Sequence, residues 1–266
     1  MELPSNHFKR WLTETGPAPL GSWLMSASPN VAEAMGCAGF DYLVLDMEHV
    51  PVDVPQAIAI MQAVAGTPAE LVVRLPWNDP VMAKRVLDSG AQTLMFPYIQ
   101  SAAEAQQAVT STRYPTRGLR GVAAVHRASR YGTVADYLRR ADEEIAVILQ
   151  LETPEAVGRM ADIAAVDGVD ALFIGPGDLS AAMGHIGDIR HPEVQTAISA
   201  AVQQANALNK PCGIVGADPE LVSDYARRGF RFVAMGSDVS LMMGRAAEFI
   251  GAVKGQAAGN ENSGVY

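Results

Sequence analysis

The sequence predicts an α/β fold, a (β/α)8 barrel of the TIM type formed as one domain, from three observations. Eight short runs rich in apolar and β-branched residues recur along the chain. Segments with the 3.6-residue apolar period of amphipathic helices lie between them. The length of 266 residues, of which 49% are hydrophobic, suits a single large core and falls within the range of single-domain barrels.

The eight candidate strands are short enough to be buried parallel strands. They cover residues 21–25, 42–46, 71–75, 93–96, 145–151, 171–174, 212–215 and 230–235. A ninth run, 121–125, is a weaker competitor that a loop explains equally well.

Six intervening segments show helical periodicity: 55–64, 81–87, 102–109, 154–163, 192–208 and 219–226. Asp79-Pro80, Thr153-Pro154 and Asp218-Pro219 each place a capping side chain before a proline suited to the first turn. An open doubly wound sheet is the alternative fold. It is disfavoured because no strand is followed by a complete Gly-x-Gly-x-x-Gly turn, and residues 175–180 lack the third glycine.

Composition excludes several classes of partner. The net charge of -9 and the lack of a Lys/Arg-rich block argue against nucleic acid, and no run approaches the length of a membrane span. The N-terminus lacks a signal-like apolar stretch, so we expect a soluble, cytoplasmic protein. Cys37 and Cys212 form neither a disulfide scaffold nor a zinc ribbon. We predict a barrel domain over 1–254 and a disordered tail over 255–266, where Gly, Asn, Ser and Ala predominate.

Two predicted strands lead directly to carboxylates. The run 145–151 stops at Glu152, and the run 171–174 is followed by Gly175-Pro176-Gly177-Asp178. Adjacent barrel strands present functional groups at one edge, where oxygen ligands favour a hard cation such as Mg²⁺ or Mn²⁺. Each carboxylate alone would suit a helix cap. The pair, beside Gln150 and a glycine-rich turn, favours a metal site.

Two more residue types stand at predicted strand ends. His49 is a candidate general base because imidazole titrates near neutral pH, and Asp46 or Asp88 would orient it. Arg74 ends an apolar strand, so a protein carboxylate or a substrate oxyanion must lie nearby, and the sequence leaves both open. We interpret the other histidines, at 7, 126, 185 and 191, as surface residues and consider zinc improbable.

Lysine placement argues against one kind of carbonyl chemistry. The lysines are at positions 9, 84, 210 and 254, and none ends a predicted strand. A Schiff-base aldolase needs an amine at such a position, so carbonyl chemistry here would rely on a metal.

Four segments together resemble the HpcH/HpaI family of class II pyruvate aldolases, most closely those acting on 4-hydroxy-2-oxoheptanedioate or on 2-keto-3-deoxy sugar acids. They are residues 39–49, 73–80, 113–121 and 173–180, and the likeness runs from about Gly21 to Val253. In the loop 123–130, however, His126 departs from the heptanedioate type and is nearer the sugar-acid pattern, which puts the aldehyde partner in question.

The resemblance implies a (β/α)8 barrel, a divalent metal (Mg²⁺ or Mn²⁺, with Co²⁺ as a further candidate) and reversible cleavage of a 4-hydroxy-2-oxo acid to pyruvate and an aldehyde through a pyruvate enolate. It also implies a homo-oligomer, a trimer or hexamer, with a C-terminal helix exchanged between subunits. The matching positions are His49 as base, Asp88 as the carboxylate that strengthens it, Arg74 at the enolate oxygen, Glu152 and Asp178 as metal ligands, and Gln150, Gly177 and Asp178 on the pyruvate part.

Two rival functions remain at this stage. A citryl or malyl thioester lyase would use the same barrel and metal, but it needs a nucleotide-binding surface that this short acidic chain does not suggest. The second rival is a barrel that binds ligands through a metal and catalyses no reaction.

Overall fold

Eight parallel strands form a closed barrel in the computed structural model, which describes residues 1–255. Each strand pairs with the next along the chain, and the last pairs with the first. The predicted (β/α)8 architecture is therefore confirmed. The strands are β1 Leu20–Leu24, β2 Tyr42–Asp46, β3 Glu70–Arg74, β4 Thr93–Phe96, β5 Ala146–Leu151, β6 Ala171–Ile174, β7 Cys212–Gly216 and β8 Phe232–Ser237.

Helices surround the barrel in the described part of the chain. They are α1 His7–Trp11, α2 Pro29–Cys37, α3 Val54–Val64, α4 Pro80–Asp88, α5 Ala102–Thr112, α6 Tyr137–Arg140, α7 Pro154–Gly158, α8 Met160–Ala164, α9 Pro176–Ala182, α10 Pro192–Ala207, α11 Pro219–Arg228 and α12 Asp238–Lys254. A 3₁₀ turn covers Ala141–Glu144. No helix among residues 1–255 is long and apolar enough to cross a membrane.

The strand predictions agree with the structure to within two residues at every end, and residues 121–125 form no strand. The prediction of one helix over 154–163 is wrong, because Arg159 leaves helical geometry (φ -97°, ψ 10°) and separates α7 from α8. The six predicted segments also leave out α1, α2, α6, α9 and α12. In α2 only Ala32 and Gly36 are buried, so its apolar stripe is weak.

The predicted helix starts are capped as expected. The side chains of Asp79, Thr153 and Asp218 accept hydrogen bonds from first-turn backbone N–H groups at 2.6, 3.1 and 3.0 Å respectively. These caps fix where each helix leaves the strand end before it. The predicted tail, 255–266, lies outside the described residues except for Gly255.

Large side chains fill the barrel interior, and α1 closes one end. Phe8 of α1 packs edge-on against Tyr42 and Phe232, with ring centroids 5.2 Å away in both contacts. A second, larger cluster lies between the strands and the surrounding helices. The filled interior leaves the opposite end of the barrel, where the strands terminate, as the place for polar side chains.

Candidate active site

The carboxyl ends of neighbouring strands bring the predicted polar residues together. Asp46 and Arg74 are paired residues at the ends of β2 and β3. Glu152 directly follows β5, and Gly175 directly follows β6. All four of these positions are buried. The site therefore lies where the barrel fold is expected to place it.

Arg74 is held by protein carboxylates. Its Nε donates to Asp46 Oδ1 at 3.0 Å and its Nη2 to Asp46 Oδ2 at 2.7 Å, while Nη1 lies 3.0 Å from Glu48 Oε2. The guanidinium also lies 4.3 Å from the ring centroid of Trp23. Of the two partners that the sequence left open for this cation, the structure supplies the protein carboxylate.

Glu48 is a site residue that sequence reasoning did not single out. Burial raises the pKa of its carboxyl, and the charges of Asp46 and Asp178 raise it further, whereas Arg74 and His49 oppose this shift. Its position two residues after the end of β2 was a usable signal, because Asp46-Met47-Glu48-His49 carries three polar side chains at one strand end.

Glu152 is almost completely buried and is held through both oxygens. Its Oε2 accepts a hydrogen bond from the backbone N–H of Tyr98 at 2.9 Å, and its Oε1 accepts one from the Gln150 amide at 2.6 Å. Burial is the largest cause that raises the pKa of Glu152 to about 8, and the Asp178 and Glu48 carboxylates add to it. The carboxylates of the site thus carry more negative charge than the nearby positive groups neutralise.

The glycine-rich turn after β6 fits closely around Glu152. A Cβ added at Gly175 would lie 2.6 Å from Glu152 Oε1 and 3.0 Å from the Gln150 amide nitrogen. Asp178 lies in the first turn of α9, where Ser180 donates a hydrogen bond to the Gly177 carbonyl at 2.7 Å. The turn therefore packs closely enough against Glu152 to require glycine at 175, and it leads into the helix that carries Asp178, whose charge acts on Glu152.

The donor set fits a divalent metal ion. Four carboxylates, from Asp46, Glu48, Glu152 and Asp178, share the site with the single guanidinium of Arg74. Gln150 Oε1 is a buried acceptor with no hydrogen-bond partner among the described residues. Excess negative charge and oxygen-only ligands match a hard cation such as Mg²⁺ or Mn²⁺.

His49 lies at the edge of this site with its side chain half exposed. Its Nε2 is 3.8 Å from Glu48 Oε2, and its backbone N–H donates to Asp46 Oδ1 at 3.3 Å. Asp46, one of the two carboxylates considered for orienting this histidine, therefore anchors its backbone. An exposed imidazole beside a carboxylate can exchange protons with a substrate or with water.

Asp88 has other neighbours in the single chain. Its Oδ1 accepts a hydrogen bond from Arg120 Nη2 at 2.7 Å and lies 3.8 Å from His126 Nε2. No contact of the described residues joins it to His49. His126, expected to be a surface residue, has a largely buried side chain in this second cluster.

Two aromatic side chains beside the carboxylates were also missed. Trp77 and Tyr98 follow β3 and β4, stack with centroids 5.8 Å apart, and remain exposed. Tyr98 is the residue whose N–H binds Glu152. Aromatic residues two to three positions after the strand ends were the signal available in the sequence.

Known proteins resemble this chain along most of its length. The family described as HpcH/HpaI aldolase/citrate lyase matches residues 20–244. A 2-dehydro-3,6-dideoxy-6-sulfogluconate aldolase of Pseudomonas putida is 50% identical, over 91% of this chain and 94% of that protein. A hydroxypyruvate/pyruvate aldolase of Pseudomonas aeruginosa is 46% identical over 100% of both chains. The crystal structure of a HpcH/HpaI aldolase/citrate lyase family protein from Burkholderia cenocepacia superposes with a TM-score of 0.91 at 39% identity, covering 94% of this chain and 100% of that one.

Proposed function

Because the chain belongs to the HpcH/HpaI aldolase/citrate lyase family, we propose that it is a metal-dependent class II aldolase, a carbon–carbon lyase. It cleaves a 4-hydroxy-2-oxo acid reversibly to pyruvate and an aldehyde. The observation that carries this proposal is the group of carboxylates around the buried Glu152, which has the charge and donor chemistry for a divalent ion beside a fixed guanidinium.

Glu152 and Asp178 are the proposed ligands of that ion, for which Mg²⁺ or Mn²⁺ fits the donors and Co²⁺ is a further candidate. When bound, the ion supplies Lewis-acid polarisation of the substrate's 2-oxo group. Gln150, Gly177 and Asp178 are proposed to contact the pyruvate part. The position of Gln150 supports this assignment, since its amide donates to the proposed ligand Glu152 at 2.6 Å.

His49 is proposed to transfer the proton, and Arg74 is proposed to stabilise the negative charge that develops. In the direction of synthesis, His49 removes a proton from C3 of pyruvate, and the electron pair of that C–H bond moves into the enolate. The Arg74 guanidinium, held in place by Asp46, stabilises the negative enolate oxygen. Attack of C3 on the aldehyde carbon then forms the new bond, and the resulting alkoxide takes the proton that His49 carries. Cleavage runs through the same steps in reverse.

Asp88 is proposed to strengthen His49 as a base, following the motif that it matches. In the single chain its carboxylate pairs with Arg120 instead. This role therefore requires Asp88 and His49 to come together, and within the described part of one chain they do not.

The aldehyde is proposed to be short and polar. Support comes from the P. putida relative, whose name describes a sulfonated sugar acid, and from His126 in the loop where the sequence departs from the heptanedioate type.

Release of pyruvate from a panel of 4-hydroxy-2-oxo acids, with and without chelator, tests the proposed aldolase function. Chelator-sensitive release is expected. Turnover only of citryl or malyl thioesters, or binding without turnover, would contradict the aldolase assignment.

A homo-oligomer, trimer or hexamer, is proposed from the C-terminal helix α12. Its exposed apolar residues are Leu241, Met242, Met243, Phe249, Ile250 and Val253. A neighbouring copy that exchanges this helix would cover them, because an isolated chain gains nothing from exposing such a row to water. Light scattering that finds a monomer would contradict this arrangement. A cytoplasmic location stays a prediction from the sequence.

A further inference from the structure

Two histidines and a glutamate converge at the corner between α9 and α10, away from the carboxylate site. One ligand atom from each of His185, His191 and Glu193 can be chosen so that all three lie within 4.8 Å of one another. Within residues 1–255 this is the one group of three or more His, Cys, Asp or Glu side chains with such spacing.

The loop geometry brings the two histidines together. After α9 the chain turns at Gly184 and Gly187, whose φ angles are +85° and +79°. The Asp188 N–H donates to the His185 carbonyl at 2.9 Å, and the His191 N–H donates to the Asp188 carbonyl at 3.2 Å. These bonds place His191 back beside His185, just before α10 begins at Pro192.

The ligand atoms lie near the separations that a small ion requires. His185 Nε2 lies 2.9 Å from Glu193 Oε2. Metal–nitrogen and metal–oxygen bonds of about 2.0–2.2 Å place the ligand atoms of a tetrahedral ion roughly 3.3 Å apart. Ligation therefore requires the His185–Glu193 pair to open slightly, while an atom of His191 lies within 4.8 Å of both.

The two histidine rings are also close neighbours. The rings of His185 and His191 stack with centroids 3.5 Å apart and planes inclined by 15°. A nitrogen of each ring therefore lies near the same small volume, and imidazole nitrogen is a common ligand of transition-metal ions. His191 Nδ1 directs its lone pair toward the Glu193 N–H, but at 3.3 Å this hydrogen bond is weak and can be given up.

The surroundings leave the group accessible. The His185 side chain is 22% exposed and that of Glu193 is 70% exposed, so an ion can reach them from solvent. The adjacent cation Arg190 forms an ion pair with Asp218. A positive charge next to the cluster is thus already neutralised by another carboxylate.

We propose that His185, His191 and Glu193 form a second metal site, for a transition-metal ion of the Zn²⁺ type, with water at the fourth position. Imidazole nitrogen selects such ions, in contrast to the oxygen-only site at Glu152 and Asp178. The ion would tie the loop between α9 and α10 to the start of α10. Since α9 carries Asp178 at its first turn, the bound ion would also steady the element that presents this carboxylate.

The alternative is a plain helix start, in which His191 caps α10 and Glu193 accepts a hydrogen bond from His185. The full-length Glu152→Gln variant distinguishes the two, because it weakens the oxygen site and leaves the histidine site alone. We expect calorimetric titration of this variant with Zn²⁺ to show one site per chain, and Co²⁺ to give the intense visible absorption of four-coordinate cobalt.

Adding His191→Asn to this background keeps a good capping residue and removes the imidazole. The expected result is at least a tenfold loss of Zn²⁺ affinity, with the same loss for His185→Gln, whereas the exposed control His7→Ala leaves affinity unchanged. Lack of Zn²⁺ binding in the Glu152→Gln variant, or equal affinity in all the variants, would overturn the second site. Neither result depends on aldolase activity, so failure here leaves the proposed function standing.

Discussion

Arg74 and Asp46 form a bidentate ion pair at the ends of neighbouring strands, and both side chains are fully buried. Two opposite charges in such an interior stabilise each other. If one is removed, the other keeps its desolvation cost and loses the attraction that offset it. The pair therefore fixes the orientation of the guanidinium before substrate arrives. The same pair therefore contributes to the stability of the barrel and holds the guanidinium that the proposed chemistry uses.

Removing one partner of this pair is expected to be costly. Asp46→Asn leaves Arg74 without its bidentate carboxylate, and we expect a loss of about 3 kcal/mol in the free energy of unfolding. Chemical denaturation measures this loss. The matched control is Glu143→Gln, which breaks the exposed pair with Arg140 and is expected to leave the free energy of unfolding nearly unchanged. Equal effects of the two variants would contradict the structural role of the buried pair.

Arg74→Lys tests the two parallel N–H donors of the guanidinium, because it keeps the positive charge. A lysine cannot keep two parallel hydrogen bonds to Asp46 and still face the substrate, so kcat/KM is expected to fall at least 100-fold, about 2.7 kcal/mol of transition-state stabilisation. Steady-state kinetics of pyruvate release measure it. A variant with near wild-type kcat/KM would remove Arg74 from the proposed mechanism.

The raised pKa of Glu152, about 8, predicts how stability depends on pH without metal. The folded chain holds this proton more tightly than the unfolded chain, so stability falls as pH rises from about 4.5 to about 8. The full difference sets an upper limit of about 5 kcal/mol. Unfolding in chelator across this pH range measures it. We expect Glu152→Gln to show a flatter profile, and an equal slope in both proteins would contradict the raised pKa.

Added Mg²⁺ or Mn²⁺ should reverse this trend. The ion competes with the Glu152 proton, so its binding strengthens as pH rises toward 8, and the increase in Tm on adding metal is expected to be larger at pH 8 than at pH 6. Thermal unfolding at both pH values measures the two increases. A larger increase at pH 6 would contradict Glu152 as a ligand.

Gly175 offers a test of the close packing around the site. In Gly175→Ala the new methyl group would displace the Glu152 carboxylate, so Mn²⁺ affinity is expected to fall at least tenfold. Gly158→Ala is the matched control, because no atom lies within 4 Å of a Cβ built there. Titration with Mn²⁺ compares the two, and equal affinities would contradict the role of this glycine.

Local patterns predicted the barrel well, since each buried strand is a short apolar run and each cap is a local residue pair. They also placed Glu152 and Asp178 at adjacent strand ends, because the closed parallel order fixes which ends are neighbours. The partners of Arg74 and the burial of Glu48 depend on contacts between separate strands, which no local pattern contains. The same limit hid the approach of His185 to His191, which depends on the turn between them.

The most direct measurement of the central claim is exchange of the pyruvate methyl protons in D₂O, followed by NMR with Mn²⁺ binding measured on the same samples. The account predicts exchange in the wild type that chelator abolishes. It also predicts that Glu152→Gln and Asp178→Asn lose both exchange and tight Mn²⁺ binding. Undiminished exchange or undiminished Mn²⁺ affinity in either variant would contradict the assignment of Glu152 and Asp178 as the ligands that support pyruvate enolisation.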